Sequence, residues 1–179
     1  LNRALDNRQW FYPADTPWRT ALKEKADANA AQVQPMIDSD SAPSNYYRAF
    51  KDIREWLDDD AIIIGEGANT MDIGRTQMPN AKPRHRLDAG TYGTMGVGLG
   101  FAVAAAVTNP DKPVVSVQGD SAFGFSGMEI ETMVRYNLPV KLIVLNNGGI
   151  GGGIGPLKKG QTVPPGILTY GARYDGMME

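Results

Sequence analysis

Two short apolar runs, "PVVSVQGD" and "PVKLIVLNN", constrain this chain more than any other feature. Each is rich in β-branched residues and stops at a Gly- or Asn-rich turn, so both are predicted to be buried strands. Between them lies "SGMEIETMVRYNL", which reads as a helix. Strand, helix and strand in succession build a parallel sheet with short crossovers. Asp120 and Asn147 then stand at the carboxyl ends of two adjacent strands. That edge is where open α/β sheets bind ligands.

The alternation extends upstream. "SNYYRAFKDIREWL" offers Ser44 or Asn45 as a cap and places Tyr46, Phe50, Ile53 and Leu57 at helical spacing. "AIIIGEGANT" supplies a strand that ends in glycine, and "GTMGVGLGFAVAAAVTNP" a small-residue helix stopped by Pro110. The expectation for residues 45–179 is a doubly wound α/β domain, a mainly parallel sheet flanked by helices. Residues 1–44 differ: they are polar, carry three prolines before residue 36 and contain one helical stretch, "WRTALKEKADANAAQVQPMI". They read as a linker or connecting segment packed on a neighbouring domain. The chain starts at Leu1 and stops in "YDGMME", the first turn of a further helix, so it reads as part of a longer polypeptide with this domain incomplete at its C-terminus.

Composition narrows the classes of partner. A formal charge of -2 with acids and bases interspersed leaves no basic stripe for nucleic acid. No apolar run approaches the roughly 20 residues that span a bilayer, and the first residues lack a signal peptide's apolar region. The chain has no cysteine, which excludes a thiolate nucleophile and a zinc-thiolate site and allows a reducing, cytoplasmic setting.

A strand-end carboxylate and a neighbouring strand-end amide provide two hard oxygen ligands, and a nearby backbone carbonyl can provide a third. Such a set suits Mg²⁺ holding a diphosphate, because magnesium takes oxygen ligands and shares its shell with phosphate and water. Gly148 and Gly149 allow the tight turn this needs, and Ser121 and Ala122 place backbone amides where diphosphate oxygens would lie. Taken singly, Asp120 reads more often as a helix cap than as a ligand, and Asn146-Asn147 more often as a turn.

The Gly-Asp pair, followed after a helix by Asn-Asn, resembles the diphosphate-binding motif of thiamine diphosphate enzymes. That resemblance implies metal ligands at Asp120, Asn147 and the carbonyl of Gly149. "GANTMDIGRT", "PRHRLDAGTYGTMGVGLGFA" and "GDSAFGFSGMEIET" look more narrowly like the 2-hydroxyacyl-CoA lyases and their relatives the oxalyl-CoA decarboxylases, from about Gly65 to Ile150. In "YGTMGVG" the resemblance implies that Met95 is the apolar wedge that bends the cofactor, with the carbonyl of Gly93 accepting from its pyrimidine amino group. An isolated Met would read as a gap-filling core residue. The cofactor contacts so implied are Gly93, Thr94, Met95, Gly119, Asp120, Ser121, Ala122, Asn147, Gly149 and Ile150, with Met95 and Gly93 as the catalytic ones.

The other ionisable residues are assigned less. His85, the only histidine, sits between Arg84 and Arg86, which disfavours its protonated form, and reads as structural. Arg84 and Arg86 face a CoA phosphate or pair with Asp88. Lys158 and Lys159 are solvated or contact a phosphate. Glu66, Glu129 and Glu131 receive no catalytic role, and the last two are read as helping to hold the loop. In the family, the glutamate that activates the pyrimidine comes from a separate pyrimidine-binding domain, which is expected in a neighbouring subunit or elsewhere in a longer chain.

The implied activity is cleavage of 2-hydroxyacyl-CoA to formyl-CoA and an aldehyde or ketone, with thiamine diphosphate and Mg²⁺, in a homo-oligomer (dimer or tetramer). Oxalyl-CoA decarboxylation stays open, as do a non-catalytic subunit and a thiamine enzyme acting on free 2-keto acids. One departure bears on the choice. The families usually carry Tyr after "NNGGI", whereas this chain has Gly151, which leaves room for a bulkier, branched carbon.

Overall fold

In a computed structural model the protein is described over residues 2–6 and 11–177. After a single turn, α1 (Asn2–Leu5), comes the long helix α2 (Pro17–Ile37), started by Thr16, whose side chain accepts from the Arg19 N–H, and by Pro17 at its first position. Apart from Ile37, α2 buries nothing fully, and inside the chain it packs on α3 (Tyr46–Trp56). Asn45 caps α3, its Oδ1 accepting from the Arg48 N–H, and Phe50 and Ile53 are the buried face.

The sheet follows in four strands, β1 (Ile62–Glu66), β2 (Arg86–Asp88), β3 (Val114–Gly119) and β4 (Val140–Leu145), all parallel in the order β2-β1-β3-β4. Between them run α4 (Ala68–Gln77), α5 (Gly98–Thr108), α6 (Asp120–Ser126) and α7 (Glu129–Arg135). A 3₁₀ turn at Tyr174–Met177 closes the described chain, and Tyr174 lies edge-on to Phe123 of α6. Among the described residues no helix is long and apolar enough to cross a membrane.

Alternation along the strands divides the core in two. Ile62, Ile64 and Val114 face one side, where Leu99, Ala102, Ala105 and Ala106 of α5 pack with Phe123 and Met133. Val115 and Val117 face the other, against Phe50, Ile53 and Met78. Small residues set the spacing: a side chain at Gly74 of α4 would stand 3.2 Å from the Phe50 ring of α3. All six residues of β3 are buried, Ser116 and Gln118 included, as expected of an inner parallel strand, whereas β4, also expected to be buried, is an edge strand that is only partly covered, with Lys141 exposed.

Two elements differ from expectation. The sequence pattern showed no strand at β2, because a three-residue edge strand reading Arg-Leu-Asp has no apolar period. The helix expected over "SGMEIETMVRYNL" is α7, and a second short helix that was not expected, α6, precedes it and begins at Asp120 itself. They part at Gly127, where the Phe123 ring, 3.1 Å from where a side chain would begin, fills the space.

Candidate functional site

Gly119 pairs with Leu145, so the residues that follow β3 and β4 emerge side by side at the carboxyl edge. Asp120 is 2% exposed. Its Oδ1 accepts from the Ser121 N–H at 2.7 Å, and its Oδ2 from the N–H groups of Gly148 at 2.8 Å and Gly149 at 2.9 Å. Bonds to an ionised acceptor are the strong kind, and here they offset the burial of the carboxylate. The Ser121 amide, expected to be free for a diphosphate, is turned toward Asp120 in this state. The side chain of Ala122 is buried.

The Asn-Asn-Gly-Gly turn is built around that carboxylate. Asn146 and Asn147 each bond the N–H two residues on, an arrangement that tightens turns. Gly148 has φ 82, and a side chain there would meet the Ile154 carbonyl at 2.8 Å. The loop pairs with Gly166–Leu168 through the Ile150 N–H to Gly166 and the Leu168 N–H to Gly148, so the carbonyl of Gly149 takes part in neither bond. Asn147 Nδ2 and Asn69 Nδ2 both donate to the carbonyl of Gly151, at 2.7 and 3.0 Å. Ile150 is exposed.

Tyr46 completes this corner. Burial is the main cause raising its hydroxyl above the ordinary value, and the charge of Asp120 adds to it, while hydrogen bonds to Thr70 and Asn147 act the other way. The pattern counted Tyr46 only as part of an apolar face; a hydroxyl on such a face was the available signal. Beside it a cavity of about 450 Å³ is lined by Ser44, Asn146, Asn147, Gly148, Ile154 and Tyr170.

The second block lies after β2. Gly90, Gly93 and Gly96 all have positive φ, Gly93 and Thr94 are exposed, and Met95 is half-buried. The turn reaches α6: a side chain at Gly96 would stand 3.3 Å from Phe125 Cβ. Beneath it is Glu66, the last residue of β1 and fully buried. Glu66 Oε1 accepts from the Gly96 and Val97 N–H groups, the latter at 3.1 Å, and Oε2 from the Gly98 N–H at 2.9 Å. Sequence reading assigned Glu66 nothing, although an acid closing an apolar strand is the same signal that marked Asp120.

Several other expectations fall elsewhere. Asp88 is paired by Arg75, in two bonds of 2.9 Å, rather than by Arg84 or Arg86. Arg86 donates to the Met78 carbonyl, and burial lowers its pKa. Glu131 pairs with Arg135 on its own helix and does not hold the loop. Lys158 and Lys159 are exposed. His85 lies before β2, at the opposite end of the sheet, with Nδ1 2.8 Å from the Pro83 carbonyl and Nε2 3.2 Å from Asp60.

Among the described residues no group of three His, Cys, Asp or Glu side chains can hold a metal. The adjacent ends of β3 and β4 instead offer one carboxylate, side-chain amides and a carbonyl, a set of hard oxygens that fits a magnesium ion sharing its shell with a diphosphate.

An open parallel sheet whose adjacent carboxyl ends join a buried acid to a glycine turn defines a ligand-binding domain of the doubly wound α/β class. The chain belongs to the thiamine pyrophosphate enzymes: residues 67–157, just over half of it, match the family "Thiamine pyrophosphate enzyme, C-terminal TPP binding domain". It is 53% identical over 154 residues to 2-hydroxyacyl-CoA lyase 1 of Homo sapiens, covering 84% of this chain and 27% of that protein. To oxalyl-CoA decarboxylase of Escherichia coli K12 it is 46% identical over 165 residues, covering 90% of this chain and 29% of the other. Among solved structures, the thiamine diphosphate-dependent 4-hydroxybenzoylformate decarboxylase of Rhodococcus jostii RHA1 superposes with a TM-score of 0.64 at 26% identity, over 78% of this chain and 27% of that one. The chain thus spans between 27% and 33% of the length of the curated relatives compared.

Proposed function

We propose that this chain is the cofactor-holding part of a carbon-carbon lyase that cleaves 2-hydroxyacyl-CoA to formyl-CoA and an aldehyde or ketone. The observation that carries the choice of reaction is the 53% identity to a protein named 2-hydroxyacyl-CoA lyase 1, against 46% to an oxalyl-CoA decarboxylase. Asp120, the Asn147 amide oxygen and the Gly149 carbonyl hold Mg²⁺ against the diphosphate. The arrangement supporting this is the buried Asp120 already bonded to the turn that carries the other two. Gly119, Ser121, Ala122 and Ile150 line the diphosphate end, and Gly93, Thr94 and Met95 support the rings. When bound, thiamine diphosphate supplies the electron sink for breaking the bond beside the thioester carbonyl. The residues of this chain hold it and orient it. A pyrimidine-binding domain and a second subunit complete the site in the assembled enzyme.

Gly151 combines open space with a constrained backbone. A side chain there meets nothing within 4 Å, which agrees with open space for a branched substrate carbon. Its φ of 69, however, is one that tyrosine rarely adopts. A Gly151→Tyr test therefore disturbs the backbone clamped by Asn69 and Asn147 as well as filling space.

The deciding experiment compares kcat/KM of the assembled enzyme for a 2-hydroxyacyl-CoA and for oxalyl-CoA, following formyl-CoA and carbon dioxide. Preference for the 2-hydroxyacyl-CoA is expected. Preference for oxalyl-CoA overturns the lyase assignment and leaves the cofactor site standing.

A further inference from the structure

We propose that Glu66 is a positioning residue that sets the place of Met95, acting through the backbone that follows it. The inference rests on Met95 supporting the cofactor rings, as proposed above.

Helix α5 starts without a local cap: Val97 stands at its N-cap position and no side chain of its own turn bonds the free N–H groups. Unpaired N–H groups at a buried helix start are costly, so some acceptor has to serve them. Glu66 does so from another element, 30 residues away, taking the N–H groups of Gly96, Val97 and Gly98 together. Among the described residues Glu66 forms no ion pair. The side chain of Gln118, its partner across β1 and β3, donates to Ser116 instead. Its compensation for burial therefore comes from the segment that directly follows Met95.

The geometry gives this bond set its leverage. β1 pairs with β2 as far as Gly65 and with β3 as far as Glu66 itself, so the Glu66 backbone is tied into the sheet. The fit above it is close enough that a side chain at Gly98 would stand 2.4 Å from Glu66 Oε2. The exposed turn from Gly90 to Thr94 is tied at its start, where the Gly90 N–H bonds Asp88 Oδ1 at 2.8 Å, but past that point it is open, since a side chain at Gly93 would meet nothing within 4 Å. Met95 is joined directly to Gly96, the first residue Glu66 holds, and its height over the sheet edge follows from that bond.

A carboxylate accepts at both oxygens, whereas an amide turns a donor toward N–H groups that cannot accept from it. Glu66→Gln keeps the shape and turns at least one of the contacts repulsive. In the assembled holoenzyme with cofactor and Mg²⁺ at saturation, the readout is hydrogen-deuterium exchange at thiazolium C2 without substrate, followed by NMR after acid quench. Glu66→Gln should slow that exchange and lower kcat by about 10- to 100-fold, with cofactor Kd and KM changed by less than about threefold, as expected for misplaced rather than lost contacts. Glu66→Asp, which keeps the charge and shortens the reach, should show the same split and serves if the glutamine variant does not fold. Adding Glu66→Gln to Met95→Gly should produce little further slowing, because both act on one element.

The two assumptions separate cleanly. If Met95→Gly leaves C2 exchange unchanged, the assignment of Met95 itself fails. If Met95→Gly slows exchange but Glu66→Gln and Glu66→Asp do not, or if they weaken cofactor binding as much as they slow exchange, the positioning role of Glu66 is overturned.

Discussion

The two ends of one parallel sheet treat the acids flanking their inner strands in opposite ways. At the carboxyl end Arg75 pairs Asp88 on the edge strand, but the inner acids Glu66 and Asp120 are buried and bonded to backbone: Glu66 by three N–H groups beyond β2, and Asp120 by the Ser121 N–H and two N–H groups of the turn after β4. At the amino end Asp60 precedes β1, half-exposed, with Lys82 at 2.7 Å, His85 at 3.2 Å and Lys112 at 3.4 Å. An acid bonded to backbone fixes where a loop runs. An acid bonded to lysines in solvent fixes very little, since exposed pairs contribute roughly 0–1 kcal/mol. Charge alone therefore does not mark the working edge of this sheet; what satisfies the charge does. The amino end even has a cavity, about 140 Å³, lined by Arg54, Met78, Lys82 and His85, but no loop there is held by a buried acid.

Removing Asp120 tests the comparison most severely. Asp120→Ala takes away a proposed metal ligand and also the acceptor for the Gly148 and Gly149 N–H groups, so binding and preorganisation are lost together. Thiamine diphosphate affinity measured by calorimetry in the presence of Mg²⁺ should fall by at least about 100-fold, the upper range for disturbing a metal's surroundings. Unchanged affinity would reduce Asp120 to a loop brace, and the carboxyl edge would differ from the amino edge in structure only.

Gly98→Ala probes the same edge with a smaller effect. Alanine favours a helix over glycine by about 0.8–1.0 kcal/mol, which by itself predicts a stabler protein. Against that, its Cβ would stand 2.4 Å from Glu66 Oε2 and 2.5 Å from Gln118 Nε2, and overpacking costs about 1–3 kcal/mol. Both atoms belong to fully buried side chains with little room to turn. A lower urea midpoint is expected, with cofactor affinity falling less than in Asp120→Ala. A stabilised variant would mean that the Glu66 contacts are not tight, and the contrast between the two ends would weaken.

What could be read beforehand follows from how local each signal is. β3 and β4 were visible because both are short, rich in β-branched and aliphatic residues and stopped by a turn signal, and Asp120 because its partner turn is the end of the next strand. Asn45 and the Phe50–Ile53 face of α3 were visible as a cap and a period. Glu66 was not, because its three partners lie 30 to 32 residues on, in a glycine-rich stretch with no period of its own. Arg75 was not paired with Asp88 in advance, since that bond depends on β2, which as a three-residue polar edge strand shows no pattern. Tyr46 was half-read: its spacing placed it on the helix face, but its hydroxyl acquires meaning only when Asp120 and Asn147 arrive beside it.

The smallest effect is expected at the amino end. The hydrogen bond from Lys82 is the main cause holding Asp60 down at about 2, from an ordinary 3.8, with His85 and Lys112 contributing and desolvation opposing. A folded-state pKa below the unfolded one means that the ionised form is favoured on folding, so the contribution is present in full above about pH 4. It is lost as pH falls from there through about 2. Asp60→Asn removes the titration. Denaturation midpoints of wild type and variant should therefore differ most at neutral pH and converge between about pH 4 and pH 2. Added salt should shrink the difference, because the group is open to solvent. Cofactor content should not change at any pH where the protein is folded. A difference that stayed constant down to pH 2 would mean that Asp60 acts through packing. A loss of cofactor would mean that the two ends of the sheet are coupled.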